Sequence, residues 1–149
     1  YQLTNFAKYL ALANIPFELT SDIRLELWKK LVINNGVNPL SAITGLNTLE
    51  LTHNPLYVTM IQNAMKETVE AARYDGVELT HQDIDSLFDL IKNFSAIKTS
   101  MLIDKEKGRE LELDAIVGAV IKRCQKQGVP APQNQEFSRS LTESVRYEC

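Results

Sequence analysis

The sequence predicts a mainly α-helical domain, and three observations carry that prediction. Apolar residues recur at three- and four-residue spacing through most of the 149-residue chain. The segments so defined open at Thr, Ser, Asp or Asn and close near Gly. Only residues 17–20 read as a short strand or extended link, and no internal repeat or low-complexity tract breaks the pattern.

Taken in order, residues 2–14 place Phe6, Leu10 and Ala13 at helical spacing, and Pro16 ends that helix. After the extended link, Thr20, Ser21 and Asp22 offer caps for a long helix from Ile23 through Trp28, Leu31 and Val32. Its second half is apolar on nearly every side, which belongs in the middle of a bundle. Gly36 and Pro39 predict a break or kink near residues 35–39, because proline lacks the amide hydrogen that would bond to the carbonyl of Asn35, and polar chain groups are exposed there.

Asn54-Pro55 opens the next helix, whose stripe of Val58, Ile61, Met65 and Val69 stops before the turn signal Asp75-Gly76. The stretch from Thr80 to Asp83 predicts a capped start for a helix through Ile84, Leu87, Phe88 and Ile91. A further helix covers residues 98–106, with Gly108 as its left-handed cap. Another covers residues 112–126, with Ala115, Ile116, Ala119 and Val120 on one side and Lys122, Arg123 and Lys126 at the end where the helix dipole favours cations. Gly118 inside that helix costs about 1 kcal/mol relative to alanine, which predicts a neighbouring helix or backbone packed against it. Residues 128–132 form a stiff loop, and Asn134 caps a last helix.

The length suits one domain with a sizeable core. Sixteen basic against nineteen acidic residues, with neither sign gathered into a run, argue against a nucleic-acid or anionic-membrane surface. Cys124 and Cys149 are too few for a disulfide scaffold or a four-thiolate zinc site, and free thiols are expected. Residues 1–14 contain no secretory pattern, and the uncharged stretch 31–49 carries four asparagines, two glycines and a proline, too polar to span a bilayer. A cytoplasmic protein without a metal site or membrane partner is the expectation.

Two groups of residues bear on chemistry. Lys30, Asn34 and Asn38 are spaced by four, so on a continuous helix they drift only about 40° per step and share a face with Ile23, Leu27, Leu31 and Val37. Polar groups in such surroundings cost about 1–3 kcal/mol each if unpaired. Either the asparagines tie down the broken backbone near Pro39 while Lys30 snorkels to solvent, or the stripe floors a polar pocket for a small oxygen-rich molecule. In the second reading Lys30 stabilises or protonates an alkoxide. The other group is the run from Ser100 through Met101, Leu102, Ile103 and Asp104, then Gly108-Arg109 and Glu112-Leu113-Asp114. Taken singly, Ser100 bonds its own helix and Asp114 is a helix-terminal charge.

Together these blocks are similar to the ketopantoate reductase family. Trp28-Lys29-Lys30-Leu31, Asn34 and Asn38-Pro39-Leu40 follow its W-x-K-L-x-x-N-x-x-x-N-P-L pattern, and the second block and the closing Gly128-Val129-Pro130-Ala131-Pro132 with Asn134 match in order and spacing. Ile103 stands where the family often has glutamine, Val117 where it often has asparagine, and Thr48, beside Asn47, where it usually has asparagine. The resemblance implies a helical bundle of the 6-phosphogluconate dehydrogenase C-terminal type. Residues 1–20 would be the tail of an N-terminal dinucleotide-binding domain and residues 21–149 the substrate and catalytic domain.

It further implies NADPH-dependent reduction of 2-dehydropantoate to pantoate, on the route to pantothenate and coenzyme A, in a cleft between the two domains. Lys30 would be the general acid. Asn34 and Asn38 would orient the substrate, Ser100 with the backbone of Met101, Leu102 and Ile103 would receive its carboxylate, and Glu112 would reach the cofactor. The chain contains no GxGxxG fingerprint, so NADPH is expected mainly on an N-terminal Rossmann domain, and the chain alone should be inactive. The expected partners are a small 2-keto acid, that Rossmann domain and a second copy through the helical domain. The alternatives are a same-fold reductase of another 2-keto acid or opine, and a non-catalytic helical interaction module.

Overall fold

The computed structural model describes residues 2–147, which form eight α-helices and one π turn, with no strand among them. The free-thiol expectation for Cys149 lies outside the described residues. α1 (Gln2–Leu12) stands apart: only Ala7 of it is buried, and among the described residues it makes no contact with another helix. Residues 15–20 follow as irregular chain, so the alternative of a short strand is not realised.

α2 (Ile23–Thr44) is the axis of the molecule. The Asp22 carboxylate accepts the Leu25 amide hydrogen at 3.0 Å, and Gly45, at φ 75°, closes the other end. Contrary to expectation the helix runs unbroken through Gly36 and Pro39, and every residue from 35 to 42 is buried. An interior proline costs about 3 kcal/mol, but packing of α2 against its neighbours outweighs it. Gly36 is not a breaker here. A methyl at that position would lie 3.0 Å from Met65 Cγ and 3.3 Å from Ile61 Cγ2, so glycine is what lets α2 and α4 lie so close.

A short helix the periodicity did not announce, α3 (Thr48–His53), is set by a capping box in which the Asn47 side chain accepts from the Glu50 amide and Glu50 accepts from the Asn47 amide. α4 (Pro55–Tyr74) starts at Asn54 and buries Ile61, Ala64, Met65, Thr68, Val69 and Ala72. α5 (His81–Lys92) starts at the predicted box. The Thr80 amide and hydroxyl both donate to Asp83, at 2.7 and 2.8 Å, and hold its carboxyl below the ordinary range.

α6 (Ser100–Glu106) is capped by Thr99 and closed at Gly108, φ 63°. The expected helix over 112–126 is instead a π turn (Asp114–Gly118) leading into α7 (Ala119–Gln127). Its buried face is Ile116, Val117, Val120 and Cys124, while Ala115 is exposed. What lies close to Gly118 is not a neighbouring helix but Asp114, whose Oδ1 would be 3.1 Å from an added methyl. α8 (Pro132–Tyr147) completes the bundle, and Asn134 lies buried in its first turn rather than capping it.

Arg123 of α7 lies over the Trp28 ring at 5.3 Å and pairs with Asp75 at 3.0 Å, and Arg24 donates to the Asp75 carbonyl. This ties the first turns of α2 to the end of α4. Trp28 is thereby anchored inward, and Lys30, about 200° further round the helix, faces out.

Candidate functional site

Lys30, Asn34 and Asn38 lie along the side of α2 that the bundle leaves open. Lys30 is exposed, Asn34 half-buried and Asn38 6% exposed. Ile23 and Leu27 extend the same side toward the helix start at 60% and 59% exposure, while Val37 turns into the core. Among the described residues, none of the three polar side chains has a hydrogen-bond or ion-pair partner. That absence distinguishes Asn38 from the other buried polar residues. The hydroxyls of Ser41, Thr48, Thr52 and Thr68 each donate to a carbonyl, Thr99 accepts from the Leu102 amide, and Asn35, Glu67 and Asn134 bond to one another.

The asparagine that does tie backbone down is the neighbour, Asn35. Wholly buried, its Nδ2 donates to the Ile116 carbonyl at 3.2 Å and to Asn134 Oδ1 at 2.5 Å. Asn134 in turn donates Nδ2–H and its backbone N–H to Glu67 Oε2, at 2.7 and 2.9 Å, and the Gln133 amide donates to Glu67 Oε1 at 2.8 Å. Glu67 therefore caps α8 from α4, an arrangement the sequence did not signal because it sits in the middle of an amphipathic helix. Asn134 was conspicuous in the sequence, but as a cap.

The second block reaches the same helix. α6 packs on α2, with Met101 and Leu102 each 3% exposed as its anchors, so their side chains are not available to a ligand. Ser100 is exposed at the start of α6, and Ile103 is half-buried. Lys105 Nζ donates to the Ala42 carbonyl at 3.0 Å and fixes α6 to the far end of α2. Glu112 precedes the π turn, which also packs on α2; its carboxylate is exposed and unpartnered among the described residues, and its carbonyl accepts the Ile116 amide hydrogen. α2 is thus the common support of both blocks. Two of the deeper recesses walled by this chain lie elsewhere, between α4 and residues 78–84 and beneath residues 108–113.

Chemically, the open side of α2 offers one ammonium and two amides with free donors and acceptors, and Ser100 adds a free hydroxyl. Such a set suits a small molecule bearing a carbonyl and a carboxylate. Among the described residues no three His, Cys, Asp or Glu side chains converge as a metal site requires, and no helix is long and apolar enough to cross a membrane.

The fold defines an all-helical domain wrapped around one buried helix whose open side carries unpartnered polar groups. Residues 22–143 match the family described as ketopantoate reductase PanE/ApbA C terminal, and the chain belongs to that family. It is similar to the 2-dehydropantoate 2-reductase of a Nostoc species, 35% identical over 121 residues that make up 81% of this chain and 38% of that protein. The structure of a PanE/ApbA family ketopantoate reductase from Ralstonia eutropha JMP134 superposes with a TM-score of 0.81 at 28% identity, over 91% of this chain and 46% of the other. The 2-dehydropantoate 2-reductase of Methylococcus capsulatus shares the fold at a TM-score of 0.85 and 24% identity, over 99% of this chain and 47% of the other. The chain spans about two fifths of the length of the curated relatives it matches, 38% in the Nostoc protein.

Proposed function

We propose that this chain is the substrate-side half of an NADPH-dependent reductase that converts 2-dehydropantoate to pantoate. The observation that carries the reading is Asn38, a residue only 6% exposed whose amide has no partner among the described residues and still reaches solvent, aligned with Asn34 and Lys30 on the open side of α2. Donors and acceptors left free by the fold yet open to solvent are available to a ligand carrying complementary oxygens.

In this reading Lys30 points its ammonium at the keto oxygen and gives it a proton as negative charge develops there. Asn34 and Asn38 hold the hydroxyl and carbonyl oxygens, and Ser100 with the adjoining Met101 amide receives the carboxylate, the Leu102 and Ile103 amides being already bonded to Thr99. A nicotinamide dinucleotide, when bound, supplies the hydride. Glu112, exposed and free of ion pairs among the described residues, is suited to accept hydrogen bonds from such a cofactor. The rest of the cofactor's binding falls to an N-terminal half, to which residues 1–20 belong in this reading. In its favour, the family match begins at residue 22, α1 contacts no other helix, and Leu3, Phe6, Tyr9, Leu12, Phe17 and Leu19 are all exposed.

A second reading, reduction of another short 2-keto acid, is favoured by Thr48. That residue stands where the family usually has asparagine. Its amide donates to the Ile97 carbonyl, and its hydroxyl donates to the Ser95 carbonyl and accepts from the Ile97 amide, which leaves little capacity for a substrate.

The test is steady-state kinetics of the two-domain protein with 2-dehydropantoate and NADPH. Lys30→Ala should lower kcat by about 10²–10⁴-fold, because general acid catalysis acts in the transition state, and arginine, which gives up protons poorly, should not restore it. Asn34→Ala and Asn38→Ala should raise KM more than they lower kcat. A folded Lys30→Ala protein with parental turnover would remove Lys30 from the mechanism.

A further inference from the structure

We propose that Asn35 is a positioning residue: its buried amide holds the π turn Asp114–Gly118 open and thereby sets the direction in which Glu112 projects. The inference rests on the reading of Glu112 as the group that faces the dinucleotide.

A π turn is an α-helix carrying one extra residue, and such turns are rare because the ordinary ladder is better bonded. They persist where something engages the widened ring. Here the engaging group is Asn35 Nδ2, which donates to the Ile116 carbonyl in the middle of the turn at 3.2 Å. The donor has little freedom. Its other hydrogen goes to Asn134 Oδ1, and Asn134 is fastened by two hydrogen bonds to Glu67, so a continuous chain of bonds runs from α4 through α8 and α2 to the π turn.

The turn has a directional consequence. One extra residue shifts everything before it by about 100° around the helix axis relative to an uninterrupted helix. Core residues after the turn, Val120 and Cys124, keep their places, while Glu112 and its neighbours take up the rotation. Asn35 therefore couples the core side of α2 to an exposed carboxylate at the entrance of the π turn without touching a ligand. Asn34, adjacent in sequence, projects about 100° away from it and has no partner among the described residues, so the two asparagines serve different ends.

Two variants of the two-domain protein test this, after the parent's NADPH affinity and turnover have been measured. Asn35→Ala removes the donor; deletion of the exposed Ala115 removes the extra residue while leaving Asn35 in place. Each should raise the Kd and KM for NADPH by roughly 10–100-fold while KM for the keto acid stays within about twofold, since displacement of a positioned group by an ångström is worth about that much. The double variant should be little worse than either single one, and hydrogen exchange of the 114–120 amides should change alike in both. A general loss of stability would move both Michaelis constants or neither. Parental NADPH affinity in folded Asn35→Ala overturns the proposal. If that variant fails to fold, parental affinity in the Ala115 deletion overturns it instead. A parent that neither binds NADPH nor turns over fails the functional reading itself, and is recognised before any variant is made.

Discussion

Replacing Glu67 by alanine should cost about 3–5 kcal/mol, far more than an average substitution. The side chain is only 9% exposed and accepts three hydrogen bonds, from the Gln133 amide and from the backbone and side-chain amides of Asn134. Gln133 is half-buried, so water reaches its orphaned amide. Asn134 is wholly buried, and its two donors would be stranded at about 1–3 kcal/mol each. Loss of a negative charge from the first turn of α8 adds up to about 2 kcal/mol, and the carboxylate's own desolvation offsets part of the sum. Glu67→Gln keeps an accepting oxygen but turns an NH₂ group toward donors, so about 1–3 kcal/mol is expected. Urea denaturation of the 149-residue chain measures both, with an unchanged slope and a lower midpoint, or a fall in Tm of about 6–20 °C for the alanine variant. Glu70→Ala, which removes only a surface pair with Arg73, is the control and should stay within about 1 kcal/mol. A Glu67→Ala protein as stable as that control would refute the claim that this carboxylate holds α8 to α4.

Gly36→Ala should destabilise by about 1–2 kcal/mol, since the added methyl meets Met65 and Ile61 at 3.0 and 3.3 Å in a closed core, and this outweighs the roughly 1 kcal/mol gain in helix propensity. A stabilised variant in thermal unfolding would show that Met65 moves aside freely. Cys124 is buried, and burial with the nearby Glu67 and Glu70 pushes its thiol up from 9.0 to about 11. Between those values the unfolded chain loses the proton and the folded one keeps it, so the contribution is complete below pH 9 and lost as pH rises through 11. A Cys149→Ser chain should show the corresponding fall in urea midpoint from pH 8.5 to 10.5 relative to one that also lacks Cys124, and its remaining thiol should resist aromatic disulfide reagents at pH 8 until urea is added. Rapid labelling in the folded state would contradict this.

Legibility in the sequence followed the range of the interaction. Caps and turns rest on contacts within a few residues, so a cap among Thr20, Ser21 and Asp22, starts at Asn54-Pro55 and within 80–83, and the turns at Gly76 and Gly108 could be read directly. Pro39 was misread because the backbone preference it expresses is worth a few kcal/mol, less than the packing that envelops α2, and nothing local announces that packing. The π turn is equally silent: one extra residue alters the apolar period too little to see, and its bond to Asn35 spans 81 positions. On the site, the spacing of Lys30, Asn34 and Asn38 placed them on one side of α2, as the structure has them. Glu67 escaped notice because a carboxylate on an amphipathic helix is ordinarily solvated, and only the fold brings the start of α8 against it.

The two faces of α2 explain why both kinds of asparagine occur in one helix. A bundle of this size needs its central helix tied to every neighbour, and buried amides do this with direction that apolar packing lacks; Asn35 does so through partners on α8 and the π turn. Were Asn38 present for the same purpose, it too would be bonded to a neighbouring element, as Asn35 is through Nδ2, although the Asn35 Oδ1 is itself buried without a partner. It is instead the one buried polar side chain among the described residues without a partner, and it falls in register with an exposed lysine and a second unpartnered amide. In the proposed reading, free polar groups gathered on one stripe are what a binding surface leaves on a fold. The neighbouring surface agrees, for the apolar residues that continue that stripe toward the start of α2, Ile23 and Leu27, are exposed rather than packed. Stability and recognition are thus, in the proposed reading, divided around the circumference of a single helix, with Trp28, Val32, Asn35 and Gly36 buried for the first and Lys30, Asn34 and Asn38 assigned to the second.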